Sequence, residues 1–286
     1  MKLLRTPAEL IKWSENIHRK GLTIGLVPTM GYLHEGHLSL MKRAKAENDK
    51  VLLTVFVNPS QFAPGEDYRS YPRNLKRDKR LAGQGGADAI YAPKARTVYP
   101  LPYRTYINVE ELSGVMCGVR RESHFKGVTT IVGKLFNLSS ADRAYFGRKD
   151  FQQSVIIGQM IRDLDFKVKL RVLPIVRARG GLAESSRNKY LTGRQRKQAI
   201  SIYQSLREAR KVILGGERRA DRVRDQITRR LKKAGLSVDY VTVGEAKSLD
   251  SVKVIGKNTY IAIAAFCGKT RLIDNMLIKT TRHIIL

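Results

Sequence analysis

Short apolar runs alternate with amphipathic stretches along the first part of the chain. This predicts an α/β protein built on a mostly parallel sheet with helices on both faces. Two further observations complete the prediction. The pattern changes at Arg177-Ala178-Arg179-Gly180-Gly181, and two basic helices and three short strands follow as a smaller α+β unit. At 286 residues the chain is long enough to bury a core in each of two domains. The boundary is expected after residue 178, giving an N-terminal domain over 1–178 and a C-terminal domain over 179–286.

The elements follow in order. Met1 to Thr6 leads into a charged helix over Ala8–Arg19, not into the long apolar core of a secretion signal. A strand at Thr23–Val27 meets a helix at Gly36–Asn48, whose Leu38, Leu40, Met41 and Ala44 fall on one face. A strand at Val51–Val57 ends in the long loop Asn58 to Arg73, a length that marks function or mobility. Then come a helix at Leu75–Gly83 and a strand at Ala89–Tyr91. Thr97 to Met116 reads as an excursion with β character. The domain closes with a helix at Val128–Leu138, a strand at Arg143–Phe146, a helix at Asp150–Leu164 and a strand at Lys167–Leu173. The paired glycines 180 and 181 suggest a hinge. Helices at Thr192–Leu214 and Ala220–Ala234 precede strands at Val238–Val243, Thr259–Ala265 and Thr270–Ile278. Lys279 to Leu286 receives no assignment.

Composition narrows the class. Hydrophobic content of 42% is that of a globular protein, and no apolar run approaches a membrane span. Two cysteines far apart, Cys117 and Cys267, argue against a disulfide framework and fit a cytoplasmic location. Lys and Arg number 54 against 25 Asp and Glu, a formal net charge of +29. Such a field draws anions. The excess is spread along the whole chain without interleaved aromatics, so a nucleic-acid partner is not favoured.

The densest chemistry lies at Val27-Pro28-Thr29-Met30-Gly31-Tyr32-Leu33-His34-Glu35-Gly36-His37. A strand feeding a helix start binds phosphate, because free N–H groups and the positive dipole end face outward together. Two imidazoles there can donate hydrogen bonds to a phosphoryl group as its charge shifts. The same pair also suits half a metal site, with His124 and a carboxylate to complete it, although no spacing asks for zinc. Gly147-Arg148-Lys149-Asp150 repeats the strand-to-helix theme: Gly147 permits close approach, Lys149 brings charge to phosphate, and Asp150 suits an N-cap or a ribose hydroxyl. Gln61, Gln152 and Gln153 are neutral groups fit for hydroxyl and carboxylate recognition. Ser185-Ser186-Arg187 offers two hydroxyls and a guanidinium for a closing phosphate clamp.

Together and in this order these stretches resemble one family, the pantoate–β-alanine ligases of the HxGH nucleotidyltransferase superfamily. Also matching are Phe56-Val57-Asn58-Pro59-Ser60-Gln61-Phe62, Tyr71-Pro72-Arg73, His124-Phe125-Lys126-Gly127-Val128, Lys134-Leu135-Phe136-Asn137, Phe146 through Gln153, Ser185-Ser186-Arg187-Asn188 and Arg271-Leu272-Ile273-Asp274-Asn275. The resemblance implies a Rossmann-like N-terminal domain, a C-terminal lid, a homodimer and a two-step reaction. Pantoate and ATP give a pantoyl adenylate and pyrophosphate; β-alanine then displaces AMP to give pantothenate.

Carried over by position, the resemblance implies that Met30, Gly31, His34, His37, Gly147, Lys149, Asp150, Val176, Glu184, Ser185, Ser186 and Arg187 hold ATP. His37, His34 and Lys149 would be catalytic, and Gln61 and Gln153 would bind pantoate, with Gln61 also near β-alanine. Mg²⁺ would come with ATP, with Asp78 as the carboxylate near it. Arg148, Gly180 and Glu184 depart from the family's usual Glu, Asp and apolar residue. The alternatives are another HxGH nucleotidyltransferase acting on a different small acid, and a basic nucleic-acid-binding protein on the same scaffold.

Overall fold

A computed structural model describes residues 1–278. The tail from Lys279 lies outside the described residues. The chain divides into two compact units, Met1–Pro174 and Ile175–Leu286, so the division falls ahead of the boundary expected at residue 178.

The first unit opens with strand β1 (Lys2–Leu4) and helix α1 (Pro7–His18). Thr6 caps α1 in a capping box with Glu9, which satisfies two orphan N–H groups. Then come β2 (Ile24–Val27), α2 (Glu35–Glu47), β3 (Lys50–Thr54), a 3₁₀ turn at Pro59–Gln61, α3 (Leu75–Gln84) and β4 (Ala89–Tyr91). Two four-residue helices, α4 (Ala95–Val98) and α5 (Cys117–Arg120), precede α6 (His124–Ser139), β5 (Arg143–Gly147), α7 (Phe151–Asp163) and β6 (Lys169–Leu173).

The six strands pair in the order β1-β4-β3-β2-β5-β6, and every pairing is parallel. All four residues of β2 are buried, as a central strand covered on both faces requires. Val27, Leu33, Met41, Leu53 and Ile90 are fully enclosed in the cluster between β2, β3, β4 and α2. Each such side chain contributes roughly 1.5–3 kcal/mol. The chain runs from β2 outward through β3 and β4, then returns to β5 on the other side of β2. That reversal makes the carboxyl end of β2 the switch point, where ligands bind in open α/β sheets.

The sheet agrees with the expected strands within a few residues, but two features differ. β1 was not expected, because three residues carry too little pattern to read. The excursion from Thr97 to Met116 forms no strand; it ends α4 and continues as turns. Its aromatics make a ladder instead of pairing backbone: Tyr99, Tyr103 and Tyr106 stack edge-to-face at 4.8 and 5.3 Å between ring centres.

The second unit contains a 3₁₀ turn at Ser186–Tyr190, α8 (Gly193–Leu214), α9 (Ala220–Lys233) and the antiparallel sheet β7 (Ser237–Glu245), β8 (Thr259–Cys267), β9 (Thr270–Ile278), in that order. Thr192 caps α8 through a second capping box with Gln195. Leu206, Ile213, Ile227, Leu231, Ile261 and Ile263 form the core under the two helices.

The glycine pair, read from sequence as a hinge, lies at the turn of a hairpin within the second unit. Arg177 bridges Ala183 and Glu184 N–H donates to Val176 C=O at 2.9 Å, so residues 176–184 form a tight hairpin with the glycines at its turn. Both have positive φ, +90° and +101°. A Cβ on Gly181 would overlap the Tyr203 ring, and one on Gly180 would stand 2.8 Å from Ile200. Close packing against α8, and not looseness, explains the pair.

Candidate active site

The loop from β2 to α2 is fixed before any ligand arrives. Thr29 Oγ1 donates to the Thr54 carbonyl at 2.6 Å and accepts from Gly31 N–H at 3.1 Å. Gly31 takes φ +83°, and a Cβ there would press on Val55 and on the Asp78 carboxylate. Tyr32 N–H and Leu33 N–H donate to the two oxygens of Asp78 at 2.9 and 2.8 Å. Asp78 is 1% exposed. Both oxygens hold backbone, so the carboxylate braces the nucleotide loop.

His34 is the N-cap of α2. Its Nδ1 accepts from Gly36 N–H at 3.2 Å, while His37 Nδ1 accepts from His34 N–H at 3.3 Å. The ring centres are 4.0 Å apart. A nitrogen that accepts from N–H carries no proton, so each neutral ring carries its proton on Nε2. Burial pushes His34 down to about 2, with the charges of His37, Lys149 and Arg77 adding to it. Burial pushes His37 down to about 4; Asp150 opposes this and Lys149 reinforces it. Both rings are neutral donors at neutral pH.

These field effects show which residues share the site. β5 lies beside β2, so the turn that follows it comes to the same edge as α2. Lys149 Nζ contacts Asp150 Oδ1 at 3.3 Å, and its charge is felt by both imidazoles. Asp150 occupies the N-cap of α7 yet makes no capping hydrogen bond; it stays half-exposed beside Lys149. Gly147 ends β5, and a Cβ there would meet nothing within 4 Å. Its small size leaves room at the strand's edge and answers no packing need within the chain.

Gln61 is held from three directions. Its Nε2 lies 2.9 Å from Met30 Sδ, and its Oε1 accepts from Asn58 Nδ2 at 3.3 Å. Its backbone carbonyl accepts from His124 Nδ1 at 2.8 Å and from Arg121 Nη2 at 3.2 Å. Asn58 in turn donates to the Gly127 carbonyl at 3.0 Å and accepts from the Tyr99 hydroxyl at 2.8 Å. A Cβ on Gly127 would overlap the Ser60 carbonyl, so only glycine lets α6 approach this loop. His124 is pushed down to about 4 by burial first and Arg121 second, against the hydrogen bond to Gln61 and the charges of Glu66 and Asp150.

Of the two adjacent glutamines, Gln152 is structural. It accepts from Cys117 N–H at 3.1 Å and donates to the Leu112 and Val115 carbonyls at 2.9 and 2.8 Å. Gln153, on the first turn of α7, is half-buried. No group of three His, Cys, Asp or Glu side chains able to hold a metal occurs among the described residues. Gly127 was not singled out as a site residue from sequence, and His124 was considered only as a metal ligand. The isolated Gly127 within a helical run was the available signal.

Within the second unit, Ser185 Oγ accepts from Arg187 N–H at 3.3 Å and caps the 3₁₀ turn; Ser186 is buried. Asn188 Nδ2 donates to the Ala183 carbonyl at 3.0 Å. Arg177 binds Asp274 through two nitrogens at 2.6 and 3.0 Å and lies 3.8 Å over the Tyr203 ring. Val176 and Glu184 form the open end of the hairpin described above.

A parallel sheet with a His-x-Gly-His helix start at its switch point defines the class: an α/β protein with a phosphate-binding type of strand-to-helix turn. The family model described as pantoate–β-alanine ligase matches residues 2–277, and the chain belongs to that family of ATP-dependent ligases. A pantothenate synthetase of Moorella thermoacetica is 46% identical over 280 residues, covering 98% of this chain and 99% of the relative. One from Clostridium novyi is 47% identical, with 95% and 96% covered. The pantothenate synthetase structure from Thermus thermophilus superposes with a TM-score of 0.92 at 39% identity, covering 98% of this chain and all of that one. The pantoate–β-alanine ligase of Francisella tularensis, solved with beta-gamma ATP and beta-alanine, gives 0.82 at 32% identity, with 97% of each chain covered.

Proposed function

We propose that this chain condenses pantoate with β-alanine through a pantoyl adenylate, with the chemistry placed at the β2 edge. The observation that carries this is the division of labour in the two histidines. Each Nδ1 is engaged by backbone, which leaves each Nε2–H free to donate. In the first step a pantoate carboxylate oxygen attacks the α-phosphorus of ATP. The new O–P bond forms as the bond to pyrophosphate breaks. Negative charge grows on the phosphoryl oxygens and on the leaving group, where His34 and His37 donate and Lys149 neutralises. In the second step the β-alanine amine attacks the acyl carbon, AMP departs and the amine loses a proton. No enzyme nucleophile is needed, since the acyl phosphate is already activated.

Met30, Gly31, Gly147, Lys149 and Asp150 are assigned to the nucleotide, with Asp150 on a ribose hydroxyl. Its half-exposed carboxylate, free of capping duty, supports that assignment. Gln61 and Gln153 are assigned to pantoate; the threefold bracing of Gln61 supports a recognition role. Val176, Ser185, Ser186 and Arg187 of the second unit are assigned to ATP by their resemblance to the family's motif, Glu184 by its position alone, and the unit itself to a lid. Mg²⁺ would be carried by phosphate oxygens and water, a mode that needs no protein cage. Two free, buried cysteines support a cytoplasmic setting, and no described helix is long and apolar enough to cross a membrane. A homodimer is the expected assembly, checked by sedimentation velocity.

Pantoate-dependent exchange of pyrophosphate into ATP tests the first step. AMP release on adding β-alanine tests the second. Exchange that proceeds equally well without pantoate would overturn the assignment.

A further inference from the structure

In β9 the side chains of Leu272, Met276 and Ile278 pack into the core of the second unit, and Asp274 stands in the same alternating row. A carboxylate buried in that row is costly unless it is paired. Its partner is Arg177, 97 residues earlier, which donates from Nη1 to Asp274 Oδ2 at 2.6 Å and from Nη2 to Oδ1 at 3.0 Å. The same Nη1 donates to the Gly181 carbonyl at 3.0 Å, and the guanidinium lies over the Tyr203 ring of α8. Arg177 therefore ties the turn of its own hairpin to β9 and to α8 at once.

The open end of this hairpin carries residues assigned to ATP. Val176 directly precedes Arg177. On the opposite side Arg177 bridges Ala183, which directly precedes Glu184. The Ala183 carbonyl accepts from Asn188 Nδ2 at 3.0 Å, and the Asn188 carbonyl accepts from Arg196 Nη2 at 2.6 Å. Those bonds continue the network into the 3₁₀ turn that holds Ser186 and Arg187. A buried ion pair is a weak source of stability, since apolar side chains of similar volume do as well or better. What it supplies is a single geometry, because the planar guanidinium fork meets a carboxylate in one plane.

We propose that Asp274 is a positioning residue for nucleotide binding and acts through Arg177. It aligns the two ends of the hairpin, Val176 and Glu184, with the turn that carries Ser185, Ser186 and Arg187. These roles rest on the assignment of the second unit's residues to ATP. Loss of the alignment weakens the hold on ATP and leaves pantoate recognition, assigned to the first unit, as it was.

The test is calorimetric titration of the full chain with ATP, beside its melting temperature. Asp274→Asn keeps the side chain's shape and removes its charge. It should lower the melting temperature, raise the Kd for ATP about tenfold and leave the pantoate KM in pyrophosphate exchange unchanged. Arg177→Met combined with Asp274→Leu replaces the ion pair with apolar side chains. The double variant should recover the melting temperature, since no buried charge is left unpaired, and still bind ATP about tenfold more weakly. Asp239→Asn is the comparison, because it breaks the buried pair with Arg271 that joins β9 to β7. It should lower the melting temperature and leave ATP affinity unchanged. ATP affinity that returns with the melting temperature in the double variant, or that falls equally in Asp239→Asn, overturns the proposal. Parent protein that binds no ATP overturns the underlying assignment and the proposal with it; parent protein that binds ATP no better than Asp274→Asn overturns the proposal alone.

Discussion

The helices α2 and α7 both start at the sheet edge assigned to the nucleotide, yet they start in opposite ways. At α2 the chemical groups are also the caps: His34 and His37 each use Nδ1 to satisfy a backbone N–H. At α7 the residue in the cap position, Asp150, makes no capping bond and turns to Lys149. The first arrangement makes ring orientation and helix start one object, so the Nε2 donors are aimed before substrate binds. The second leaves a carboxylate and an ammonium able to reorganise around a ribose and a phosphate. Rigidity is placed where charge develops and freedom where the ligand is gripped.

The largest expected effect comes from breaking α2. His37→Ala removes both a donor to the reacting phosphoryl group and a bond to the helix start, and the exchange rate should fall by about 10²- to 10³-fold. Gly127→Ala comes next. The added methyl meets the Ser60 carbonyl, so the loop carrying Gln61 must shift. The pantoate KM should rise, with about 1–3 kcal/mol lost in a denaturant titration. Gly181→Ala should cost a similar amount of stability through its +101° φ and the Tyr203 ring.

Acid should break α2 more gently. His37 and His124 take protons near pH 4 in the folded chain against an ordinary 6.5, so the unfolded chain binds more protons between those values. Stability therefore falls as pH drops from 6.5 toward 4. Melting temperature measured against pH should show this slope, and His124→Gln should reduce it. The smallest effect sharpens the contrast. Asp150→Ala should change the melting temperature little, because no cap is lost, while raising the ATP KM; Thr192→Ala at the capped start of α8 should cost about 1 kcal/mol.

Much of this was legible in the sequence because periodicity reports burial. The central strands and long helices were placed within a few residues. The motif Met30 to His37 was legible as a helix start after a strand, a local arrangement. What escaped was set by distant partners. Asp78, read from sequence only as a carboxylate near Mg²⁺, is also a brace because the β2–α2 loop delivers two N–H groups to it. Gln152 and Gln153 are indistinguishable in sequence, and only the loop at Leu112–Cys117 captures the first. Gly180 and Gly181 read as looseness until α8 packs against them. Asn58 carries no chemical signal of its own; Tyr99 and Gly127, brought from far along the chain, reveal its place.

The strand order carries one more consequence, for synthesis. Lys2 to Leu4 lie not beside β2 but beside Ala89 to Tyr91, and β2 meets β5 at Arg143 and Ala144. A nascent chain emerging amino-end first holds its opening strand without a neighbour until β4 leaves the ribosome, on the order of ten seconds at usual elongation rates. Lys2 at the head of that three-residue segment and Arg5 just past its end blunt it against pairing with other newborn chains during the wait.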